Sequence, residues 1–279
     1  MYRIMAFYRM KHYTTVLTIA GSDSGGGAGI QADIKTISAL GCYATTAITA
    51  ITVQNTVGVE AVHPVPVDIV KGQIEAVLSD IGADAVKIGM LQSAEIVRAV
   101  AETLRKYKVG NVVLDPVMVS TSGHRLIEEE AIDTLRRELI PLARVITPNI
   151  PEAEILLGGE EIRSQASLPE MAQRLSASYG VSVLLKAGHL SEDELTDILY
   201  DKETDKLLQL TSKRIRTRNT HGTGCTMSSA LAASLAKGET LQQAASSAKT
   251  FISNAIIAGA DYEIGHGHGP VQFLAHPCT

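Results

Sequence analysis

The chain has 279 residues, 45% of them hydrophobic, enough to bury one large core. A formal net charge of -5 and a pI near 5.9 exclude nucleic acid or an anionic membrane as the main partner, because such binding needs clustered positive charge. Cys42, Cys225 and Cys278 show no metal-type spacing and are odd in number, which fits a reduced, cytoplasmic setting.

Residues 1–14 read as a flexible N-terminal extension, with Arg3, Arg9 and Lys11 scattered among aromatics and methionines and no continuous apolar segment. Residues 15–279 read as a single domain, and no apolar run reaches the ~18 residues a spanning helix needs. A first strand over 16–20 runs into Gly21-Ser-Asp-Ser-Gly-Gly-Gly-Ala-Gly29 and a helix over 30–40 that Gly41 caps. A Thr/Ile/Ala strand over 44–53 precedes a helix over 67–81, a strand over 85–88 and a helix over 94–107. A buried strand at 112–114 ends in Asp115-Pro116, and a helix over 129–139 leads to a strand at 145–147 ending in Pro148-Asn149. A short helix over 151–157, a helix over 168–179, a strand over 183–186 and a hairpin of 197–200 with 207–210 follow. The stretch 218–231 passes from loop to Ala-rich helix, and Thr240 opens the last helix with Gln243 at capping-box spacing. This alternation predicts an α/β fold with a mostly parallel, doubly wound sheet, whose ligands bind beyond the carboxyl ends of the strands. Gly265-His-Gly-His-Gly-Pro270 reads as a surface loop with solvated histidines.

Gly222, Thr223 and Gly224 leave N–H groups free to converge at a helix start, where unpaired amides and the helix dipole hold an anion. Cys225 follows at the edge of this phosphate cradle, where a thiol is expected to ionise more readily than in water. A base beside a phosphate cradle suggests phosphoryl transfer, although the tetrapeptide alone is more simply a tight turn with a small buried Cys. Gly27-Ala-Gly29-Ile-Gln-Ala32 satisfies a dinucleotide-binding fingerprint, but Thr52, Gln54 and Asn55 stand where a ribose-binding acid is required. A Walker A loop is excluded because neither glycine loop is followed by Lys-Ser/Thr.

Asp33 and Gln54 are expected at one crevice, where the Gln amide suits the amino group and ring nitrogen of an aminopyrimidine and the carboxylate accepts from a further donor. Singly, Asp33 is equally an ordinary first-turn acid. Asn149 and Glu152 form Asn-x-x-Glu after a strand end and, with Asp115, offer the oxygen ligands Mg2+ takes beside substrate phosphates. The simpler reading is a helix cap. Lys186 ends an apolar strand, so its stem either snorkels outward or its charge meets a phosphate.

Taken together, 20–33, Val53-Gln-Asn-Thr56, Lys87-Ile-Gly-Met90, Asp115-Pro-Val-Met118, Thr147-Pro-Asn-x-Pro-Glu152 and Asn219-Thr-His-Gly-Thr-Gly-Cys-Thr226 resemble bacterial hydroxymethylpyrimidine/phosphomethylpyrimidine kinases of thiamine biosynthesis, in the ribokinase-like superfamily. The resemblance covers about 16–273. It implies a three-layer sandwich with helices on both faces of the sheet. It also implies ATP-dependent phosphorylation of 4-amino-5-hydroxymethyl-2-methylpyrimidine and then of its monophosphate. The roles it implies put the pyrimidine against Gly21, Asp33, Gln54, Met90 and Val117, with Cys225 as base. Lys186, Asn149, Glu152, Gly222, Thr223, Gly224 and Lys249 would serve ATP, Mg2+ would sit near Asp115 and Glu152, and the protein would be a homodimer. Lys186-Ala-Gly-His189 departs from the family's frequent Lys-Gly-Gly-His. A pyridoxal kinase of the same superfamily is the nearest rival, disfavoured because Val119-Ser-Thr-Ser-Gly123 lacks the second Cys such relatives tend to carry. An NAD-dependent oxidoreductase lacks the ribose acid, and a non-catalytic pyrimidine-binding module does not account for Lys186, Asn149, Glu152 and Cys225 together.

Overall fold

The computed structural model describes residues 11–118, 127–190 and 192–274. Residues 1–10 of the expected extension and the segment 119–123 that separates the two kinase readings lie outside them. Tyr13 rests against Tyr43, with ring centroids 5.6 Å apart.

The strands are β1 (Thr15–Asp23), β2 (Tyr43–Gln54), β3 (Val59–Pro64), β4 (Ala85–Ile88), β5 (Val112–Leu114), β6 (Val145–Ile146), β7 (Ser182–Leu185), β8 (Glu194–Asp201) and β9 (Lys206–Lys213). They form one sheet in the order β3-β2-β1-β4-β5-β6-β7-β8-β9. The run from β2 to β7 is parallel, and β3, β8 and β9 add antiparallel edges. The helices are α1 (Gly29–Ala39), α2 (Val67–Asp80), α3 (Ala94–Tyr107), α4 (Glu129–Thr134), α5 (Ile150–Leu156), α6 (Leu168–Tyr179), α7 (Thr223–Ala236) and α8 (Leu241–Gly259).

Because side chains alternate along a strand, each central strand feeds two cores. Leu17, Ile19, Val86, Ile88, Leu114 and Ile146 pack with Val70, Val97, Leu104 and Leu175 of α2, α3 and α6. Val16, Ala85, Val113, Val145 and Leu184 face the other way, against Ile37, Leu231 and Ile252 of α1, α7 and α8. The result is the three-layer α/β sandwich the resemblance implies. In α3, Ser93 accepts a hydrogen bond from the Ile96 amide (3.3 Å), and the apolar face Ile96, Val97, Val100 and Leu104 is buried. Each such aliphatic side chain contributes roughly 1.5–3 kcal/mol of burial.

Two stretches differ from expectation. The helix expected over 129–139 is α-helical only to Thr134, widens into a π turn at Leu135–Leu139 and tightens into a 3-10 turn at Ile140–Leu142. Pro141 has no N–H with which to continue a regular helix. β3 was not legible, since it is a mostly exposed edge strand that ends in Pro64.

Candidate active site

The sheet order reverses at β1, whose two neighbours are β2 and β4, and a cavity of about 800 Å3 opens at the carboxyl ends of the parallel strands. Gly21, Gln54, Met90 and Val117 reach it from the β2-β1-β4-β5 side. Asp115, Asn149 and Lys186 come from the loops after β5, β6 and β7, Glu152 from the first turn of α5, and Lys249 from α8. Gly222, Thr223, Gly224 and Cys225 line it from the start of α7. Gly21 is bare where a Cβ would come 2.9 Å from the Met90 methyl, so the backbone there lies close to Met90.

In the first glycine loop a carboxylate of the chain itself takes the converging amides. Asp23, at the end of β1, accepts hydrogen bonds from the amides of Gly25 (2.7 Å), Gly27 (3.1 Å) and Ala28 (2.8 Å). Its Oδ2 also lies 2.8 Å from His221 Nε2. Burial alone would raise the Asp23 carboxyl, but the His221 bond and the amides hold it below its ordinary value. The dinucleotide fingerprint therefore marks an anion nest already occupied by Asp23. His221 Nε2 also lies 3.3 Å from the Gln54 carboxamide, which accepts from Thr52 Oγ1 (3.1 Å). Sequence reasoning missed both Asp23 and His221. The available signals were a carboxylate two positions before a glycine run and a His directly before Gly-Thr-Gly.

The second loop is open. Gly222 has φ 79°, and a Cβ on it would lie 1.8 Å from the Gly27 carbonyl oxygen, so the two glycine loops are in direct backbone contact. No side chain caps α7; the Thr223 amide donates to the Thr220 carbonyl (3.3 Å), and Thr223 and Gly224 line the cavity. Cys225 is partly exposed there, but the expected easy ionisation is corrected: burial pushes its thiol up to about 11, with Lys87 as the first opposing influence. Desolvation disfavours the thiolate more than Lys87 and the Gly29 amide favour it.

Asp33 is not brought to the cavity wall. It is fully buried, and its carboxylate accepts from Lys87 Nζ (2.9 Å to each oxygen), Thr18 Oγ1 (2.5 Å) and Ser229 Oγ (2.7 Å). In place of the ring contact expected of it, Asp33 is the counter-ion of Lys87. Lys87 does line the cavity, and the sequence reading assigned it no role.

Asn149 and Glu152 form the capping box of the simpler reading while lining the cavity. The Glu152 amide donates to Asn149 Oδ1 (3.0 Å) and the Asn149 amide to Glu152 Oε2 (2.9 Å). Burial, reinforced by the Asp115 charge, pushes Glu152 up to about 7 despite Lys186 nearby. Lys186 Nζ donates to Asp115 Oδ1 (2.7 Å), which also accepts from Thr147 (2.8 Å). Burial opposes ionisation of both partners, yet their pairing holds the Asp115 carboxyl below its ordinary value and Lys186 above its own. Lys249 donates to Asp197 Oδ2 (2.8 Å), and Asp197 Oδ1 accepts the Ala187 amide (2.7 Å), which ties α8 to the Lys186 loop.

Among the described residues no group of three or more His, Cys, Asp and Glu side chains is placed to hold a metal. The two carboxylates of Asp115 and Glu152 fit an ion that takes its remaining ligands from phosphate and water, as Mg2+ does. An open helix terminus, paired lysines and carboxylates at a parallel-sheet switch point make this an α/β phosphotransferase.

A family model described as phosphomethylpyrimidine kinase matches residues 23–272. The chain is 50% identical over 256 residues to the hydroxymethylpyrimidine/phosphomethylpyrimidine kinase of Rhizobium meliloti (strain 1021), covering 92% of this chain and 95% of that one. It is 48% identical over 260 residues to the thiamine biosynthesis bifunctional protein ThiED of Geobacter sulfurreducens, covering 93% of this chain and 52% of that protein. The solved structure of an ADP complex of Bacillus subtilis pyridoxal kinase superposes with a TM-score of 0.85 at 39% identity, over 94% of this chain and 98% of that one. The chain belongs to the phosphomethylpyrimidine kinase family, on a ribokinase-like fold.

Proposed function

We propose that the chain phosphorylates 4-amino-5-hydroxymethyl-2-methylpyrimidine and then its monophosphate, with ATP as donor, in thiamine biosynthesis. The observation that carries this reading is that one cavity of about 800 Å3 joins Gly21, Gln54, Met90 and Val117 to Gly222, Thr223 and Gly224 at the start of α7, which no side chain caps. Gln54 reads the polar edge of the ring, and Met90 and Val117 give it apolar contact. The amides and Lys186 receive the charge that spreads over the transferring phosphoryl group. Lys186 must exchange its bond to Asp115 for that contact. Asn149 and Glu152 border the phosphates, and Lys249 on α8 borders the nucleoside. Asp115 and Glu152 would hold Mg2+, which would supply positive charge against the phosphates.

Cys225 accepts the hydroxymethyl proton as the oxygen bonds to phosphorus and ADP leaves. A thiol near 11 is ionised in about one molecule in ten thousand at pH 7, and only that thiolate can take the proton, so turnover through Cys225 should rise with pH from 7 towards 10. Replacing Cys225 by Ala should lower kcat with little change in the pyrimidine KM; unchanged turnover removes Cys225 from the mechanism. The deciding experiment is steady-state phosphorylation of the pyrimidine alcohol against pyridoxal, with NAD turnover as blank. Preference for pyridoxal, the substrate named for the Bacillus relative, would transfer the assignment to the rival kinase.

The protein acts as a cytoplasmic homodimer in this reading. Exposed Ile51 and Val53 on β2 and neighbouring Val57 support a self-association surface, and light scattering of the purified chain tests it. No helix among the described residues is long and apolar enough to cross a membrane.

A further inference from the structure

The layer between the sheet and α1/α7 is largely apolar but includes two charged pairs, Asp115–Lys186 and the more deeply buried Asp33–Lys87. Thr18 on β1 and Lys87 on β4 are register partners and, by alternation, face the same side as Val16 and Ala85. Lys87 is wholly buried there, with its ammonium 2.9 Å from both oxygens of Asp33. A buried ion pair is seldom a net gain over well-packed hydrocarbon, so stability alone does not account for it. Its neighbour does. Ser229, which donates to Asp33, lies one helical turn after Cys225 on α7, so Cys225 shares the face that meets the pair. Lys87 and Cys225 both border the cavity, and Gly89 is bare where a Cβ would come 2.9 Å from Lys87 Nζ.

We propose that Lys87 is the positioning cation for Cys225: Asp33 fixes the ammonium, and the ammonium makes the Cys225 thiolate attainable during phosphoryl transfer. This rests on the reading of Cys225 as the base. The charged groups felt by the sulfur are Lys87 from β4, Asp33 from α1, Asp115 beyond β5 and Lys186 beyond β7, together with the Gly29 amide of α1. Burial dominates and disfavours the thiolate; Lys87 leads the influences that favour it, while Asp33 and Asp115 oppose it. The two partners of one ion pair act on the sulfur with opposite signs, so substitutions of the two should shift its reactivity in opposite directions.

The test is alkylation of Cys225 by iodoacetamide on the full-length chain from pH 7 to 10, located by peptide mass spectrometry apart from Cys42 and Cys278. Lys87→Met should slow alkylation at pH 8 about tenfold, one unit of thiol pKa, since the thiolate is the nucleophile. Asp33→Asn should accelerate it several-fold, because the ammonium loses its competing anion. Equal slowing or equal acceleration by both overturns the proposal. Should either single variant fail to fold, the double variant Lys87→Met with Asp33→Leu replaces the pair by hydrocarbon; folded, it should react more slowly than wild type, and a wild-type rate overturns the proposal. In Lys87→Met, kcat should fall in step with alkylation while the pyrimidine KM stays within about threefold. If Cys225→Ala turned over normally, the base assignment would fail separately, with the alkylation shifts still reporting the field of Lys87.

Discussion

Replacing Gly222 by Ala tests whether the contact between the two glycine loops governs turnover. At φ 79° an alanine pays about 1–2 kcal/mol for the left-handed backbone. Its Cβ would lie 1.8 Å from the Gly27 oxygen and 2.8 Å from the Gly27 carbon, both backbone atoms that no rotamer change can remove. Contacts of a real Cβ start near 3.0 Å, so the loops must separate by at least 1.2 Å, the difference between 3.0 and 1.8. The amides of Thr223 and Gly224 would shift with them. A misplacement of about 1 Å costs on the order of a hundredfold in rate, and loss of one oxyanion-type donor about a hundred- to a thousandfold. Gly222→Ala should thus lower kcat by about two to three orders of magnitude. The assay is coupled ADP release under saturating ATP and pyrimidine alcohol, with circular dichroism to confirm folding. Gly110→Ala is the control, because nothing lies within 4 Å of a Cβ there, and it should leave kcat unchanged. A folded Gly222→Ala enzyme within threefold of wild-type kcat would refute the reasoning.

Glu152→Gln should flatten the dependence of Tm on pH. Burial first, then Asp115, raises the Glu152 carboxyl from 4.5 to about 7, so its contribution to stability is complete below pH 4.5 and is lost as pH rises through 7. At ~1.4 kcal/mol per unit this is on the order of 3 kcal/mol, and an unchanged pH slope between 5 and 8 would contradict it. Gln54→Leu should leave the ring's polar edge unpaired at ~1–3 kcal/mol, raising the pyrimidine KM about 5- to 150-fold with the ATP KM unaltered. Leu104→Ala, in the core beneath α3 and 2% exposed, should cost about 2–5 kcal/mol in urea denaturation while kcat per folded molecule holds. A loss under 1 kcal/mol would mean that the core collapses around the gap.

The sequence exposed those parts of the fold and site whose physics is local. Strand alternation, the Gly41 cap and the Thr240/Gln243 box each depend on residues a few positions apart, and all are present. The Gly222–Cys225 loop was recognisable for the same reason, since an anion-binding helix start is built from consecutive residues. What the sequence could not display is competition between distant groups for the same partner. Asp33 looks free in the chain, yet Lys87, 54 positions on, and Ser229, 196 positions on, saturate its carboxylate. The first glycine loop looks like a phosphate site until Asp23 folds back into it and His221, 198 positions away, closes over that carboxylate. Cys225 shows the same limit in electrostatics: the helix terminus is adjacent in sequence, whereas the burial that disfavours its thiolate is set by the tertiary fold. Within the proposed mechanism, where Cys225 acts as the base, burial leaves the thiolate dependent on nearby cations, and Lys87, held by Asp33, leads the influences that favour it.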